Sequence, residues 1–339
     1  MVGALSSLPQ WRIRLEAVAA SGERFSIGTI EGRRTPLPAA PPEFLQAIFL
    51  TSLGRSGSTY LMRLMALHPA IVALRKYPYE SRSAQFRLHQ ARVSCEPANE
   101  EQSACRSCFW VSPWWSGNDP HYAPLETSLP ELRQWFGKTQ VHSHLNFCHQ
   151  NTEEFYRLVA QNQQQPQAKY FLEKTIGDLP CAFWEIYPQM RELFLVRDFR
   201  DTICSILAFN AKRGTLGFGR EKASSDEDYI FRMGPQIKKL HEQWKQRSTQ
   251  SHLMRYEDLV EQPIPTLQNA FNYLGLPADE GIVRDILQKA NQDTVELKSH
   301  RTTSAPENSV GRWKTDLSSE LQKACQESFG DILPHFGYV

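Results

Sequence analysis

A run of small residues with one arginine, SLGRSGST (52–59), stands between an apolar segment and a helical pattern. Small residues let the backbone curl closely around an anion. The N-terminus of the following helix presents free N–H groups and the positive end of its dipole. The loop is therefore expected to bind a phosphate-like group through Arg55, Ser56, Gly57, Ser58 and Thr59.

The same loop does not fit the pattern G-x-x-x-x-G-K-[ST] of nucleoside-triphosphate hydrolases. Ser58 stands where that pattern has its lysine, and Ser52 stands where it has its first glycine. The missing lysine is the one that contacts the β- and γ-phosphates. The expected ligand is thus not the terminal phosphates of ATP. A turn without any ligand is the alternative, because such loops are common at strand ends.

A second candidate for anion binding is LVRDFRDTICS (195–205). Arg197 follows an apolar run, and Ser205 stands eight residues later, about two helical turns along. Both side chains can approach one anion at the carboxyl edge of a sheet, where open α/β folds bind ligands. The alternative is that the arginines of this segment only form salt bridges with Asp198 and Asp201.

A third segment, HRTTSAPENSVGRWK (300–314), has the composition of a flexible loop. Three cations and a glycine in such a loop can close over a phosphate. The residues concerned are Arg301, Gly311, Arg312 and Lys314.

The elements that position these segments are short apolar runs that alternate with helical patterns. Strands are predicted at 45–53, 169–174, 192–196 and 252–256. Helices are predicted at 57–67, 179–187, 201–212, 226–247, 263–274, 279–290 and 317–328. This alternation indicates a parallel sheet with helices on both faces.

Two parts of the chain lack this pattern. Residues 1–44 are expected to be an N-terminal extension that ends in a proline-rich connector, TPLPAAPPEF (35–44). Residues 80–150 are rich in Trp, Cys, Pro and Ser and show only short helical pieces near 130–135. We expect them to form the wall that binds an acceptor, because loops on a rigid sheet commonly set specificity.

Composition excludes several classes of protein. In 339 residues, 38 Lys plus Arg face 37 Asp plus Glu, which argues against a nucleic-acid-binding arm or a polybasic membrane anchor. No apolar run reaches the length of a membrane span, and the first residues lack a signal-peptide pattern. Seven irregularly spaced cysteines do not form a secreted disulfide framework. We therefore expect a cytoplasmic protein.

In this order and spacing, the three segments resemble those of the sulfotransferases that use 3′-phosphoadenosine-5′-phosphosulfate. SLGRSGSTYL is similar to the family's 5′-phosphosulfate loop, LVRDFRDTICS to its 3′-phosphate motif, and SVGRWKTDLS to its cofactor-closing segment. RYEDLVEQP–LGLP (255–277) resembles a strand–helix pair of bacterial members. The resemblance covers about residues 45–339. It implies a P-loop-like, three-layer α/β fold with a central parallel sheet flanked by helices.

The resemblance also implies an activity, which is transfer of a sulfuryl group to a hydroxyl or amine without a metal ion. By position, Arg55 replaces a lysine that contacts the oxygen between phosphate and sulfate, and residues 56–59 hold the 5′-phosphate. Arg197 and Ser205 match the 3′-phosphate ligands. Tyr60 stands where some members stack a ring on adenine, although packing in the core is an equal alternative. The site would be completed by Arg301, Gly311, Arg312 and Lys314.

The acceptor must lose a proton as it attacks, so a base is needed. Glu80, in KYPYESR (76–82), stands where some members have a catalytic glutamate, and Tyr77 and Tyr79 are expected to shield it from water. An exposed surface carboxylate is the alternative. The competing bases are His142 and His144, because an H-x-H pair in extended backbone points both rings to one side.

Lys174 belongs to a further segment that resembles a family motif. Glu173-Lys174-Thr175 is similar to the family's EK[ST]P element beside the acceptor, with Ile176 in place of the proline. We therefore include Lys174 among the candidate catalytic residues.

Three alternatives stay open at this stage. Cys105-x-x-Cys108, with Cys95 and His121 nearby, could bind zinc, although no second ligand pair of regular spacing is evident. A nucleotide-dependent kinase and a catalytically silent nucleotide-binding module are the other two. The acceptor itself, whether a small molecule, a lipid or a glycan, is not encoded in any motif.

Overall fold

A computed structural model describes residues 10–19, 22–33, 36–95, 131, 135–176, 182–290 and 302–339. These residues form two compact units. The first unit comprises those within 1–44, 82–155 and 180–188, and the second comprises those within 45–81, 156–179 and 189–339. The expected division into an N-terminal extension, 1–44, and a domain, 45–339, stays a prediction. The acceptor-binding role of 80–150 stays a prediction.

The second unit is built on a five-stranded parallel sheet. Its strands are β3 (Gln46–Ser52), β4 (Ile71–Val72), β5 (Tyr170–Ile176), β6 (Arg191–Val196) and β7 (Ser251–Arg255). The spatial order is β4-β5-β3-β6-β7, so β3 is central and pairs with both β5 and β6. The predicted parallel α/β fold is confirmed.

Alternating side chains of the sheet feed two hydrophobic clusters. In β6, Leu193 and Leu195 belong to one cluster, whereas Phe194 and Val196 belong to the other. Because successive side chains of a strand point to opposite faces, both faces of the sheet are covered. Helices complete each cluster, which gives the three-layer architecture.

The helices that the sequence predicted in the second unit are present, and a further helix at Tyr256–Glu261 was not predicted. The cluster around Leu193 is completed by α1 (Ser58–Ala66), α7 (Tyr256–Glu261), α8 (Pro263–Tyr273) and α9 (Glu280–Ala290). The cluster around Phe194 is completed by α5 (Phe199–Arg213), α6 (Asp226–Arg247) and α11 (Ser319–Phe329). Shorter helical turns are α10 (Trp313–Asp316), Arg220–Lys222, Glu307–Ser309 and Leu333–Phe336.

The first unit contains an antiparallel ribbon of β1 (Gln10–Val18) and β2 (Arg24–Arg33). The sequence predicted only a weak alternation at 24–29 here. Residues 36–45 adopt neither helix nor strand, as expected of the proline-rich connector. Further elements are α2 (Ser83–Cys95), the π-helical turn Trp135–Gln140, the first part of α3 (Val141–Asn162), and α4 (Ala182–Ile186).

Within the described ranges, no helix is both long enough and apolar enough to span a lipid bilayer.

Candidate active site

The loop between β3 and α1 is shaped by one glycine. Gly57 has φ 89°, and a Cβ on it would lie 2.2 Å from a ring carbon of Tyr256. Only glycine satisfies both the left-handed backbone and this contact. Gly57 also occupies the N-cap of α1, where no side chain caps the helix. Ser56 stabilises the loop from within, since its Oγ donates to the carbonyl of Leu53 at 2.7 Å.

Arg197 lies buried just past β6 and connects two backbone segments. Its Nη1 donates to the carbonyl of Arg55 at 3.2 Å, and its Nη2 donates to the carbonyl of Ser309 at 2.5 Å. Its guanidinium stands 4.8 Å from the ring centre of Tyr256. Among the described residues, its buried Nε has no hydrogen-bond partner.

The salt-bridge alternative for this segment holds for its second arginine. Arg200 forms a buried ion pair with Asp198 at 2.7 Å. Asp201, also buried, binds two backbone amides instead, those of Gly311 at 2.7 Å and Trp313 at 2.9 Å. Burial raises the pKa of the Asp201 carboxyl above its usual value, although these two donors and the charge of Arg197 lower it.

Arg55 and Ser205 are in direct contact. Nε of Arg55 donates to Oγ of Ser205 at 3.3 Å, and its guanidinium lies 4.3 Å from the ring centre of Phe209. Burial, and after it the charge of Arg197, lower the pKa of Arg55 to about 10. Arg55 therefore stays positively charged at neutral pH. Its contact with Ser205 of α5 was not predicted from the sequence.

A cavity of about 140 Å³ lies where these segments meet. Its lining joins predicted residues to others that the sequence did not single out. The predicted ones are Arg55, Gly57, Ser58, Thr59, Tyr60, Arg197 and Ser205. The others are Tyr256, Ala290, Thr302, Thr303, Pro306 and Ser309. Tyr60 both lines this cavity and packs against the core, so its two alternatives are compatible.

Thr302, Thr303, Pro306 and Ser309 of the 300–314 segment line this cavity, whereas the expected cations that the structure describes do not. Arg312 is engaged by Asp316 at 2.6 Å and by Thr302 at 3.1 Å, and it does not line the cavity. Lys314 is exposed, near the ring of Trp313. Gly311 is held by Asp201 and is likewise not among the lining residues. Arg301 lies outside the described residues.

Lys174 connects the loop between β3 and α1 to Glu80. From β5, its buried Nζ lies 3.1 Å from Oε1 of Glu80, 3.3 Å from Oγ1 of Thr59 and 3.0 Å from the carbonyl of Pro78. The side chain of Glu80 is 52% exposed. The expectation that Tyr77 and Tyr79 shield this carboxylate from water is therefore wrong. In the Lys174–Glu80 ion pair, the lysine is the buried member and the carboxylate faces water.

The sequence pattern of the sulfotransferase family matches residues 47–280, which is more than half of the chain. This chain belongs to the sulfotransferase family. Among curated proteins, no relative matches it.

Solved sulfotransferases are similar to this chain at low sequence identity. The sulfotransferase domain of the curacin biosynthetic pathway is 18% identical, with a TM-score of 0.45, over 87% of this chain and 99% of that domain. A Mycobacterium avium sulfotransferase is 15% identical, with a TM-score of 0.44, over 88% and 78%. A mouse sulfotransferase complexed with PAP is 11% identical, with a TM-score of 0.45, over 86% and 84%.

The two histidines offered as bases of this sulfotransferase lie on a helix, not in extended backbone. Residues two apart on a helix point about 200° from each other, so the expectation that both rings face one side is wrong. In α3, Nε2 of His142 lies 3.1 Å from the carbonyl of Pro36, and Nδ1 of His144 lies 3.0 Å from that of Gln140. Both belong to the first unit.

The zinc alternative falls mostly on residues that the structure does not describe. Cys105, Cys108 and His121 lie outside the described ranges, and Cys95 is the last residue of α2. Over the ranges that are described, no group of three or more His, Cys, Asp or Glu side chains could hold a metal ion. The zinc site stays an untested prediction.

Proposed function

We propose that this sulfotransferase uses 3′-phosphoadenosine-5′-phosphosulfate as its donor. It transfers the sulfuryl group to a hydroxyl or amine of an acceptor and releases adenosine 3′,5′-bisphosphate. The observation that carries the proposal is the cavity itself. It brings the loop after β3, the Arg197–Ser205 motif and the 302–309 segment together at the carboxyl edge of a parallel sheet, where α/β folds bind nucleotides.

The described residues suit the two phosphates of this donor. An uncapped helix N-terminus behind Gly57 favours the 5′-phosphate. The unpartnered, buried Nε of Arg197 and the hydroxyl of Ser205 favour the 3′-phosphate. Thus residues 56–59 would hold one end of the donor and Arg197 with Ser205 the other. When bound, the donor supplies an activated sulfuryl group on a phosphate leaving group.

The catalytic groups in this proposal are Arg55, Lys174 and Glu80. Arg55 and Lys174 place two positive charges beside the phosphate loop, where negative charge grows as the leaving group departs. Lys174 also fixes the carboxylate of Glu80 near Thr59. Glu80 takes the proton of the acceptor as the acceptor's oxygen or nitrogen bonds to sulfur. The sulfuryl group carries less charge than a phosphoryl group, so these cations suffice without a metal ion.

The decisive experiment compares nucleotides by titration calorimetry. Adenosine 3′,5′-bisphosphate should bind more tightly than AMP by about 2–4 kcal/mol, because Arg197 and Ser205 form charge-assisted hydrogen bonds with the 3′-phosphate. Ser205→Ala should reduce that difference and leave AMP binding unchanged. Equal affinities for the two nucleotides in the unmodified protein would contradict the proposal.

Two further measurements separate the alternatives. Tighter binding of ATP than of the bisphosphate would favour a kinase. Bisphosphate binding without transfer of labelled sulfate to small-molecule, lipid or glycan acceptors would favour a silent nucleotide-binding module.

A further inference from the structure

Glu257 is a buried carboxylate that the proposed function leaves without a role. It follows Tyr256 at the start of α7, within the 255–277 segment, and is only 6% exposed. It is not among the residues that line the cavity. Because burying a carboxylate is costly unless it is hydrogen-bonded, its partners indicate what it does.

Both carboxylate oxygens of Glu257 accept a hydrogen bond. Oε1 accepts from the backbone amide of Asp198 at 2.9 Å, and Oε2 accepts from the hydroxyl of Tyr338 at 2.7 Å. Asp198 and Tyr338 are themselves buried. Glu257 therefore connects the backbone next to Arg197 with a residue far along the chain.

Asp198 determines how Arg197 leaves the backbone. It is the N-cap of α5, and its Oδ1 accepts from the amide of Arg200 at 2.9 Å. Its own N–H belongs to the planar peptide group that it shares with Arg197. Because Glu257 holds this N–H, the orientation of the peptide group is fixed, and with it the direction of the Arg197 side chain.

The guanidinium of Arg197 has one donor left for a ligand. Nη1 and Nη2 bind the carbonyls of Arg55 and Ser309, whereas the buried Nε has no partner among the described residues. In the proposed function this N–H meets the 3′-phosphate. Hydrogen bonds weaken steeply as their angle departs from linearity, so a small rotation of Arg197 would weaken that contact.

Tyr338 is held in place independently of Glu257. Gly337, with φ 76°, ends a helical turn, and the amide of Tyr338 donates back to the carbonyl of Leu333 at 3.1 Å. The guanidinium of Arg255 lies 4.6 Å from the centre of the Tyr338 ring. The hydroxyl that Glu257 accepts from therefore has a fixed position.

We propose that Glu257 and Tyr338 are positioning residues that hold Arg197 in the orientation that binds the 3′-phosphate of the nucleotide. This inference rests on the proposed function. Neither residue contacts the nucleotide, since both act through the backbone amide of Asp198. A positioning role predicts an effect on the 3′-phosphate alone, whereas a purely structural role predicts no change in nucleotide preference.

Titration calorimetry of the full chain with adenosine 3′,5′-bisphosphate and with AMP tests this role. Tyr338→Phe removes the hydroxyl and keeps the ring beside Arg255. The dissociation constant of the bisphosphate should rise about three- to tenfold, within the coupling energies of residues that share a hydrogen-bond network. AMP lacks a 3′-phosphate, so its affinity should stay unchanged, which also shows that the variant is folded.

Two substitutions of Glu257 separate hydrogen bonding from packing. In Glu257→Gln, the side-chain oxygen still accepts from the amide of Asp198, and the NH₂ group donates to the hydroxyl oxygen of Tyr338. This variant should keep most of the preference for the bisphosphate. Glu257→Met fills similar space but leaves the Asp198 amide unpaired, so it should lose at least as much of that preference as Tyr338→Phe does.

Tyr273→Phe is the matched control. The hydroxyl of Tyr273 donates to the carbonyl of Gln250 at 2.7 Å, the same length as the bond from Tyr338 to Glu257. Gln250 comes just before β7, at the amino edge of the sheet, and does not line the cavity. This variant should also lose unfolding free energy in urea, but it should leave both nucleotide affinities unchanged.

Arg197→Lys shows whether Tyr338 acts through Arg197. Lysine keeps the positive charge but lacks the planar guanidinium with its several donors, so this variant should bind the bisphosphate more weakly. Adding Tyr338→Phe to it should raise the dissociation constant by less than about twofold, since substitutions that act through one group are not additive.

The inference is overturned if Tyr338→Phe weakens AMP binding as much as bisphosphate binding, or if it changes nucleotide affinity no more than Tyr273→Phe does. It is also overturned if Glu257→Gln behaves as Glu257→Met does, or if Tyr338→Phe and Arg197→Lys are fully additive. In each case the unmodified protein still prefers the bisphosphate, so the proposed function stands. If the unmodified protein binds both nucleotides equally, the proposed function fails, and the inference falls with it.

Discussion

Among single residues, Gly57 decides the shape of the loop between β3 and α1 because it has no side chain. Gly57→Ala should lower the free energy of unfolding by about 3 kcal/mol or more, because the methyl group meets the ring of Tyr256 in addition to the backbone strain. Gly214 also has a positive φ but has open space around its Cα. Gly214→Ala should cost only about 1 kcal/mol.

Urea denaturation of both variants checks this prediction. Similar losses of unfolding free energy in the two variants would mean that the Tyr256 ring moves aside. Contact with this ring would then not be the reason for glycine at position 57.

The proton acceptor is a second question at this scale. Glu80→Gln is nearly isosteric but cannot take a proton, so kcat for sulfate transfer should fall roughly 10²–10⁴-fold. Bisphosphate affinity should persist, since Glu80 does not line the cavity. The measurement is single-turnover transfer of labelled sulfate.

His142→Asn and His144→Asn are the comparison variants, and each should cost less than Glu80→Gln. A Glu80→Gln protein that keeps its rate, together with a histidine variant that loses it, would move the role of base to that histidine.

At the scale of elements, Asp201 joins α5 to the closing segment through two backbone amides. In Asp201→Asn, the side-chain NH₂ must face one of these N–H groups, so one hydrogen bond is lost. Amide hydrogen exchange at 309–316 should accelerate, and the bisphosphate should bind about tenfold more weakly, because this segment brings Thr302, Thr303 and Ser309 to the cavity.

Asp316→Asn is the control for this effect, since Asp316 is a partly exposed carboxylate of the same segment that pairs with Arg312. It should change neither measurement by more than about twofold. Unchanged exchange in Asp201→Asn would show that the segment is held by other contacts, such as that between Arg197 and Ser309.

The sequence predicted β3, β5, β6 and β7 from short apolar runs, but it missed β4, which is only two residues long. It missed α3, whose buried positions follow a helical spacing but include His149 and Thr152 among apolar residues such as Leu145 and Tyr156. His142 and His144 taken alone are compatible with extended backbone. The helical period appears only over a longer stretch of sequence.

The positions of the 52–59 loop and of the Arg197–Ser205 segment at strand-to-helix junctions were predictable because each is a local sequence pattern. Asp201, Tyr256 and Ser309 were not, since their contacts with the site cross long stretches of chain. Their types also carry no signal by themselves, because an aspartate four residues after Arg197 fits a helix start equally well. Only the fold reveals what they hold.

At the scale of the whole molecule, buried histidines make stability depend on pH. In His68, Nδ1 accepts from the amide of Ala70 at 3.1 Å and Nε2 lies 3.2 Å from the carbonyl of Pro277, which fits a neutral ring. Burial lowers the pKa of His68 below 6.5, and it does the same for His149, His241 and His252. The unfolded chain therefore takes up protons first as pH falls through about 6.5, and stability should decrease from there toward pH 5.

Urea midpoints at several pH values, compared between the unmodified protein and His68→Asn, measure how much His68 contributes to the loss of stability on acidification. Asparagine keeps an acceptor for Ala70 but does not titrate, so the decrease on acidification should be smaller. His89→Gln, at an exposed position, is the control. Because the pKa values of Asp201 and Glu257 are raised in the folded state, these carboxyls lower the stability as pH rises above about 4. Both proteins share this effect, so it cancels in the comparison. An equal decrease in both proteins would contradict the prediction.

The central position of β3 has a consequence for how this protein is made on the ribosome. Its neighbours β5 and β6 are synthesised about 120 and 140 residues after it. At roughly 5–20 residues per second, β3 is complete for about 6–25 s before its first partner emerges. In that interval an apolar strand has two open edges, which can template aggregation. We therefore expect a nascent chain of this protein to need protection of that strand until β5 appears, and the cavity to be complete only after Ser309 has been added.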